Sequence, residues 1–170
     1  DNTMIMLKFA REGKRVRYDE YGGAEYIFAF AEESGTGAEL SLNESDLDNF
    51  IRAKGAIFSA IRTMLMSVDM TVDDIGKIII AGGIGSGIDI EKAISIGMLP
   101  QQDASKYCYI GNSSLTGACA MLLSDEATEK VFELGRNMTY IELSTHPGYM
   151  DEFVAACFLP HTNAALFAKD

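Results

Sequence analysis

Apolar segments separated by polar, glycine-containing turns make up the first part of the chain, and their residue types are typical of strands. β-Branched and aromatic residues dominate residues 25–31, and a glycine-containing turn at 32–37 leads into a second apolar segment at 38–42. Two such segments joined by a short turn favour an antiparallel hairpin. Weaker strand patterns lie at 4–9 and 16–18. The chain is therefore predicted to begin with antiparallel strands.

A helical pattern follows the hairpin. Apolar residues recur at three- and four-residue spacing from Leu47 to Leu65, and Asn43 stands in front of them as a candidate N-cap. Lys54 lies on or beside this apolar stripe. A lysine in that position usually extends its charged end towards solvent, and contact with a ligand is the alternative. Both interpretations of Lys54 stay open at the level of sequence.

An unbroken apolar run at 78–81 predicts the central strand of the fold. Such a run, without polar alternation, is typical of a strand covered on both faces in the middle of a parallel sheet. Asp89 is placed to cap a short helix after it. Between strand and helix lie glycines that accept positive φ and let a ligand approach the main chain: Gly82, Gly83, Gly85 and Gly87. This arrangement commonly binds an anionic or nucleotide ligand, and a turn that binds nothing is the alternative.

Two familiar glycine motifs are absent from this loop. Gly82 and Gly87 have the spacing of a phosphate loop, but Ile88 and Asp89 occupy the positions that require lysine and serine or threonine. Gly83 could open a dinucleotide fingerprint, but Ile88 stands at its third glycine position. The loop therefore matches neither motif.

A second strand and turn are predicted at 106–114. The apolar segment 106–110 leads into a turn in which Asn112 or Ser113 caps the next helix. Ligands collect at the carboxyl ends of strands in α/β sheets, so this turn and the glycine loop are expected to share one site. Gly117 lies inside the helix that follows, where a close approach of another helix would explain it.

The rest of the chain completes an alternation of strands and helices. A helix is predicted from 126 to 134 with Gly135 as its end, then a strand at 139–143 and a helix at 149–158. An antiparallel beginning followed by strand–helix alternation indicates the α/β class, with a mixed sheet flanked by helices. At 170 residues and 48% hydrophobic content, the chain is predicted to form one domain, 1–170.

Charge and hydropathy exclude several kinds of partner. The net charge of −11 argues against nucleic-acid binding, which needs a clustered positive surface. No apolar run approaches the roughly 18 residues of a membrane span, and no signal peptide opens the chain. The basic residues near the start are interpreted as a solvated face: Lys8, Arg11, Lys14, Arg15 and Arg17.

Cysteine and histidine spacing argues against a metal site. Cys108, Cys119 and Cys157 are widely separated and lie in apolar stretches, so they are interpreted as reduced core thiols. His146 and His161 stand beside prolines and are interpreted as loop or surface residues rather than ligands. Together with the acidic composition, these features predict a cytoplasmic protein that holds no metal.

Six ordered phrases resemble the C-terminal part of the reductive activators of corrinoid proteins. The resemblance covers residues 31–161, and its series of phrases is more specific than a single glycine loop. Small departures occur at Gly55, Ile84 and Ser86. The phrases are AEESGTG at 31–37, DNFIRAKGA at 48–56, IAGGIGSG at 80–87, DIEKA at 89–93, IGNSSLTGA at 110–118 and MDEFVAA at 150–156.

The resemblance implies half of the fold shared by acetate and sugar kinases, heat-shock chaperones and actin, which is also called ribonuclease-H-like. Gly82, Gly83 and Gly85, with Ile84 between them, would match its adenosine motif. Gly117 and Ala118 would match the second connecting helix at the hinge. The two phosphate motifs that precede these in the superfamily, and a ferredoxin-like iron–sulfur region, are not in this sequence. The chain, which begins at Asp1, is therefore expected to be the C-terminal half of the ATPase domain of a longer parent protein.

The resemblance also implies a function for the parent protein. ATP, with Mg²⁺, would drive a low-potential electron from the iron–sulfur cluster onto the cobalt of a corrinoid protein, which restores Co(I) for methyl transfer. The fragment alone is expected to hold no cofactor and to contain no catalytic residue, and a homodimer is left open. One alternative is a corrinoid-protein docking module that binds no nucleotide. A kinase-like phosphotransferase is disfavoured, because no aspartate is followed by closely spaced glycines that could hold Mg²⁺ and phosphate.

Overall fold

The computed structural model describes residues 15–18 and 20–168. Among these residues the strands are β1 (Val16–Tyr18), β2 (Ala24–Ala29), β3 (Leu40–Asn43), β4 (Ile78–Ile80) and β5 (Tyr107–Tyr109). The α-helices are α1 (Glu44–Met66), α2 (Ile90–Ser95), α3 (Ser113–Leu123), α4 (Asp125–Asn137) and α5 (Tyr149–Ala156). Short 3₁₀ turns lie at Val72–Asp74, Ile84–Gly87, Ala104–Lys106, Leu143–Thr145 and Ala164–Phe167.

The chain divides into two compact units, Asp1–Ala53 and Lys54–Asp170, with the boundary inside α1. In the first unit, β1, β2 and β3 form an antiparallel sheet in that order, and β2 pairs with β3 as the predicted hairpin. The hairpin is confirmed, as is the weaker strand pattern at 16–18. The strand predicted at 4–9 lies outside the described residues, as do Lys8, Arg11 and Lys14.

Ion pairs link charged side chains within the first unit. Arg17 pairs with Glu25 at 2.6 Å and with Glu39 at 2.6 Å, and Arg15 pairs with Glu33 at 3.0 Å. These two basic residues therefore lie on a solvated face, as predicted, where such pairs contribute little to stability.

Helix α1 begins where the sequence predicts it. The Asn43 side chain accepts a hydrogen bond from the Asp46 main-chain N–H at 2.8 Å, and the Asp46 carboxylate accepts one from the Asn43 N–H at 3.4 Å. This reciprocal arrangement satisfies two donors that the helix start would otherwise leave without partners. The N-cap prediction for Asn43 is confirmed.

In the second unit, β4 and β5 form a parallel pair with Ile78 opposite Tyr107 and Ile80 opposite Tyr109. The prediction of a central strand covered on both faces is wrong for the part of the chain that the structure describes. There β4 has β5 as its sheet neighbour, and Ile79 is 59% exposed. An apolar run records a capacity for burial, and whether both faces are covered depends on what packs against them.

The core of the second unit forms around α2 rather than around β4. Ala93, Ile94 and Leu99 are buried together, and partly buried apolar side chains pack against them. Those side chains come from α1, β4, the start of α2 and the segments on either side of it, β5 and the C-terminal 3₁₀ turn: Ile61, Ile80, Ile88, Ile90, Met98, Tyr107 and Phe167. The residues next to the glycine loop are therefore tied to the best-packed part of this unit.

Two predictions in the second half fail for identifiable reasons, and a third finds no partner among the described residues. Gly135 does not end its helix, because α4 continues to Asn137 past a glycine that costs only about 1 kcal/mol in a helix interior. Residues 139–143 form no strand, since no described segment pairs with them and Tyr140 is 80% exposed. Gly117 has no heavy atom within 4 Å of the position of a Cβ, so no helix of the described chain approaches it closely.

Candidate functional site

The two predicted turns lie side by side at the carboxyl ends of β4 and β5. The Gly82 N–H donates to the Gly111 carbonyl at 2.8 Å, which extends the hydrogen-bond ladder beyond the strands. The Tyr109 hydroxyl donates to the Gly82 carbonyl at 2.9 Å. The two turns therefore meet at one edge, and their sharing of one ligand site stays a prediction.

The glycines of this edge are required for different reasons. Gly82 has φ of 96°, a backbone conformation that favours glycine. Gly83 has φ of −63° and open space where a Cβ would be, so its missing side chain leaves room for another molecule. At Gly85 a Cβ would lie 2.6 Å from Ile80 Cγ2 and 2.8 Å from Tyr109 Cε2. Packing inside the chain therefore already explains Gly85, whereas it does not explain Gly83.

The loop has a fixed internal shape. Gly83 precedes the 3₁₀ turn Ile84–Gly87, and the Ser86 hydroxyl donates to the Gly83 carbonyl at 2.7 Å. Asp89 then caps α2 by accepting from the Lys92 N–H at 3.1 Å, as the sequence predicts. The hydrogen bond from the Lys92 N–H lowers the pKa of the Asp89 carboxyl, because it favours the ionised form. The loop is thus held at both ends by local hydrogen bonds.

Asn112 and Ser113 lie on the second turn, next to the glycine loop. Asn112 is the N-cap of α3: its side-chain oxygen accepts from the Leu115 N–H at 3.1 Å. Ser113 is the first residue of that helix, and both residues are exposed. The capping prediction is confirmed for Asn112, and contact of either side chain with a nucleotide stays a prediction.

Lys54 lies elsewhere in the second unit. Its side chain is 0% exposed, and its ammonium donates to the main-chain carbonyls of Phe158 and Pro160, the latter at 2.7 Å. Burial lowers the pKa of Lys54 to about 8, and the nearby Cys157 opposes this shift. The interpretation that Lys54 extends to solvent is wrong, because two carbonyls turn its charged end inward. Contact with a ligand stays a prediction, and it would require the ammonium to leave these acceptors.

The prediction of a loop or surface position for His161 is confirmed as to the loop, but the side chain is buried, close to this lysine. Its Nε2 lies 3.2 Å from Glu152, and its Nδ1 accepts from the Asn163 N–H at 3.0 Å. Burial lowers the pKa of His161, and the Glu152 carboxylate opposes that shift. Arg62 Nε lies 2.9 Å from the same carboxylate. This cluster ties α1, α5 and the C-terminal segment together, and no sequence motif announced it.

The described residues contain no group of three histidine, cysteine, aspartate or glutamate side chains that could hold a metal ion. Cys119 is exposed, so its interpretation as a core thiol is wrong, while Cys108 and Cys157 are partly buried. None of these three described cysteines is in a disulfide. Within the part of the chain that the structure describes, no helix is both long and apolar enough to cross a membrane.

A cavity of about 420 Å³ lies at the opposite end of the unit from the glycine loop. Its lining includes Arg62, Met66 and Asp73, together with Pro100 before β5, and it includes no residue of the glycine loop. Sequence patterns gave no signal for this cavity. Its place beside the amino ends of β4 and β5 separates it from the shared edge of the two turns.

Residues 2–169 match the family model described as the C-terminal domain of RACo, the ASKHA domain. The chain belongs to this family. The actin-like α/β fold expected from the resemblance is therefore confirmed, and so is the resemblance itself.

Named relatives of the family act on corrinoid proteins. A solved structure titled reductive activator for corrinoid, iron–sulfur protein superposes with a TM-score of 0.81 at 49% identity over 90% of this chain. The corrinoid activation enzyme RamQ of Eubacterium limosum is 29% identical over 82% of this chain. A reductase of the Co(II) methylated amine-specific corrinoid protein from Methanosarcina barkeri is 27% identical over 61% of it.

The chain is much shorter than these relatives. It covers 24% of the solved structure, 24% of the Eubacterium protein and 19% of the Methanosarcina protein. The activities in their names belong to proteins about four to five times as long as the region that this chain matches.

Proposed function

We propose that this chain is the adenosine-side half of the ATPase domain in an ATP-dependent reductive activator of corrinoid proteins. In the parent protein, a low-potential donor gives one electron through an iron–sulfur cluster, and this electron reduces the cobalt of a corrinoid protein from Co(II) to Co(I). The proposal rests on family membership and on the names of relatives that match more than half of the chain. It places the chain in the cytoplasm, with ATP and a corrinoid protein as partners.

The observation that carries the nucleotide part of the proposal is the open main chain at the joined turns. Gly83 and Gly111 have no heavy atom within 4 Å of a Cβ position, and the hydrogen bond from Gly82 to Gly111 holds their turns together. A base or ribose can therefore lie against backbone there without meeting a side chain. The proposed contacts are Gly82, Gly83, Ile84 and Gly85, with Asn112 and Ser113 beside them.

The phosphates and Mg²⁺ need groups from elsewhere in the parent protein. The sequence has neither phosphate motif, and the described residues offer no cluster of metal-ligating side chains. Phosphoryl transfer depends on positioning and charge stabilisation by such groups. ATP would therefore bind between this half and a preceding half, and the 170-residue chain alone should hydrolyse no ATP.

Helix α3 offers a surface on which the two halves could move. Leu122 is 86% exposed and Leu123 is 87% exposed, and the space beside Gly117 is open. A small residue on an apolar helix lets another helix approach closely, so α3 fits the hinge role that the family resemblance implies. ATP can favour a closed arrangement only by binding it more tightly than the open one.

Two substitutions in the parent protein test the nucleotide site. Gly83→Val should weaken ATP binding in calorimetry by about tenfold or more, because its side chain would occupy the space proposed for adenosine. Gly76→Val is the matched control: Gly76 is also exposed with open space, but it precedes β4. Equal affinity in both variants, with intact circular dichroism, would remove the nucleotide from this loop.

The coupling to cobalt has its own test. The Co(I) absorbance of the corrinoid partner is followed with parent protein and reductant, with and without ATP. A faster or more complete appearance of Co(I) with ATP is expected, since ATP closure is proposed to promote electron delivery. Equal rates and extents would refute that coupling.

One observation favours a second function, a docking module that binds a corrinoid protein and no nucleotide. Apolar side chains are exposed along α3 and α4 and just after them, among them Phe132, Leu134 and Met138. Exposed apolar side chains mark an interaction site where they form one patch. Binding of the isolated chain to the corrinoid protein, together with absence of ATP binding by the parent protein, would favour this function over the first.

A further inference from the structure

The buried ammonium of Lys54 donates hydrogen bonds to main-chain carbonyl groups of a turn that is distant along the chain. Lys54 Nζ lies 2.7 Å from the Pro160 carbonyl oxygen, although 106 residues separate the two along the chain. It also donates to the Phe158 carbonyl, at the end of α5. Two of its donors are therefore used to hold the turn 158–160 against α1.

Gly97 packs against the same carbonyl group. A Cβ at Gly97 would lie 2.0 Å from the Pro160 oxygen and 2.9 Å from the Pro160 Cα. The Gly97 backbone has φ of 75°, and its N–H donates to Ile94 at 2.9 Å, which closes the end of α2. The turn 158–160 is thus packed directly on the backbone that terminates α2.

Helix α2 is the short rigid link between this contact and the glycine loop. It has six residues, Ile90–Ser95, and its N-cap Asp89 directly follows Ile88, the residue after the loop. Ala93 and Ile94 on its inner face are buried, and the N–H groups of Met98 and Leu99 both donate to the Ala93 carbonyl. A shift of Gly97 would therefore move the whole helix, and with it the cap that ends the loop.

We propose that Lys54 is a positioning residue that holds the glycine loop in place through the turn 158–160, Gly97 and α2. It does so without touching the ligand. Its ammonium supplies two charge-assisted donors to carbonyls at a point where the chain ends one helix and packs on another. The contacts of Glu152 with His161 and Arg62 hold the neighbouring part of the C-terminal segment. Lys54 holds the turn 158–160, which is the part that packs on Gly97.

The choice of lysine supports this role. An ammonium is costly to remove from water, and apolar replacement of buried charged groups is often neutral or stabilising. A lysine that is 0% exposed is thus a poor device for stability alone. Its value lies in fixing one geometry, because two carbonyls must stay where its nitrogen can reach both.

Amide hydrogen exchange on the 170-residue chain tests the proposal without any ligand. Lys54→Met keeps the apolar stem and removes the donors, and Arg52→Met removes an exposed charge from the same helix. Exchange of the amides of Gly97, Met98 and Leu99 should accelerate about tenfold in Lys54→Met and not in Arg52→Met, while α4 is unchanged. Uniform acceleration throughout the chain, or none at residues 97–99, would overturn the proposal.

Gly97→Ala perturbs the same contact from the opposite side, which allows a double-mutant cycle. If Lys54 and Gly97 act through one carbonyl, the double variant should accelerate exchange of the Met98 and Leu99 amides by less than the product of the two separate accelerations. Strictly multiplicative effects would mean that the two residues act independently, against the proposal.

The wild-type chain supplies a measurement that needs no variant to fold. In native-state exchange at increasing urea, residues 97–99 and the amides of Cys157 and Thr162 should share one opening free energy and one denaturant dependence. Separate openings of the two segments would overturn the proposal even if Lys54→Met failed to fold.

The effect on nucleotide rests on the proposed function. In the parent protein, Lys54→Met should raise the ATP dissociation constant about tenfold, and Arg52→Met should leave it unchanged. Unchanged affinity in Lys54→Met, with ATP binding intact in the wild type, would refute the link from Lys54 to the loop. If the wild-type parent protein bound no ATP, the proposed function would fail, while the exchange experiments would still decide whether Lys54 positions the loop.

Discussion

Two regions of the second unit are built in opposite ways. One, here called the anchored corner, consists of Lys54, Gly97, Pro160, Glu152 and His161. Its side chains are buried or partly buried, and its backbone segments touch one another. The other, the open edge, consists of the turns at Gly82–Gly83 and Gly111 with helix α3. None of the residues of α3 is buried.

The comparison separates two reasons for glycine. At the anchored corner, Gly97 is glycine because a carbonyl of the same chain occupies the space of its Cβ. At the open edge, Gly83 and Gly111 have empty space there. A glycine required by internal packing reports on the fold, whereas one beside empty space is a candidate for contact with another molecule.

The largest expected effect comes from a side chain at the anchored corner. Gly97→Ala should destabilise the chain by roughly 3 kcal/mol, because it combines an unfavourable positive φ with overpacking against backbone. Gly83→Ala should change stability by about 0.5 kcal/mol or less, since its φ is ordinary and its space is open. Urea unfolding measures both. Similar losses in the two variants would break the comparison.

Alkaline pH should remove the free-energy cost of burying the charged Lys54 ammonium in the anchored corner. The pKa of Lys54 is about 8 in the folded chain, against an ordinary 10.5, so below pH 8 both states are protonated and the burial penalty is fully present. Between these values the unfolded chain keeps the proton that the folded chain has lost, so stability rises with pH by up to about 3 kcal/mol.

The check on this prediction is the difference between wild type and Lys54→Met. The free energy of unfolding of the wild type should rise with pH relative to that of Lys54→Met, because only the wild type gains from loss of that proton. Parallel curves between pH 8 and pH 10.5 would contradict the assigned pKa.

Acid should act on the same corner through His161, with a smaller effect. Burial holds the pKa of His161 below its ordinary 6.5, so the stability that it supports is complete above that pH. As pH falls below 6.5, the unfolded chain binds a proton before the folded chain does, and stability declines. His161→Gln should show a shallower acid decline in urea unfolding. An equally steep decline would point to other groups.

The smallest effect is expected at the open edge. Leu122→Gln and Leu123→Gln should alter the stability of the chain by about 0.5 kcal/mol or less, because these side chains contribute almost no buried area. Thermal unfolding of the isolated chain is the measurement. A loss as large as that of Gly97→Ala would show that α3 is packed in solution, and the distinction between corner and edge would disappear.

Sequence patterns predicted the elements whose causes are local. The caps at Asn43, Asp89 and Asn112 use hydrogen bonds to a residue three positions away, and the β2–β3 hairpin joins neighbouring segments. Patterns also placed the two turns of the candidate site at one edge, because parallel strands bring their carboxyl ends together. They failed at 139–143, where a strand would have needed a partner that the described chain does not supply.

The family, most of the element order and the glycine loop can be read from the amino-acid sequence, because these depend on residue types a few positions apart. The exposure of Ile79, the need for Gly85 in packing and the burial of Lys54 and His161 became known from the fold alone. Lys54 finds its acceptors 104 and 106 residues away, and no periodicity in α1 records that distance. Burial depends on which surfaces meet. A lysine on an apolar stripe therefore extends its charged end to solvent when nothing covers it, and donates to carbonyl groups when another segment packs over it.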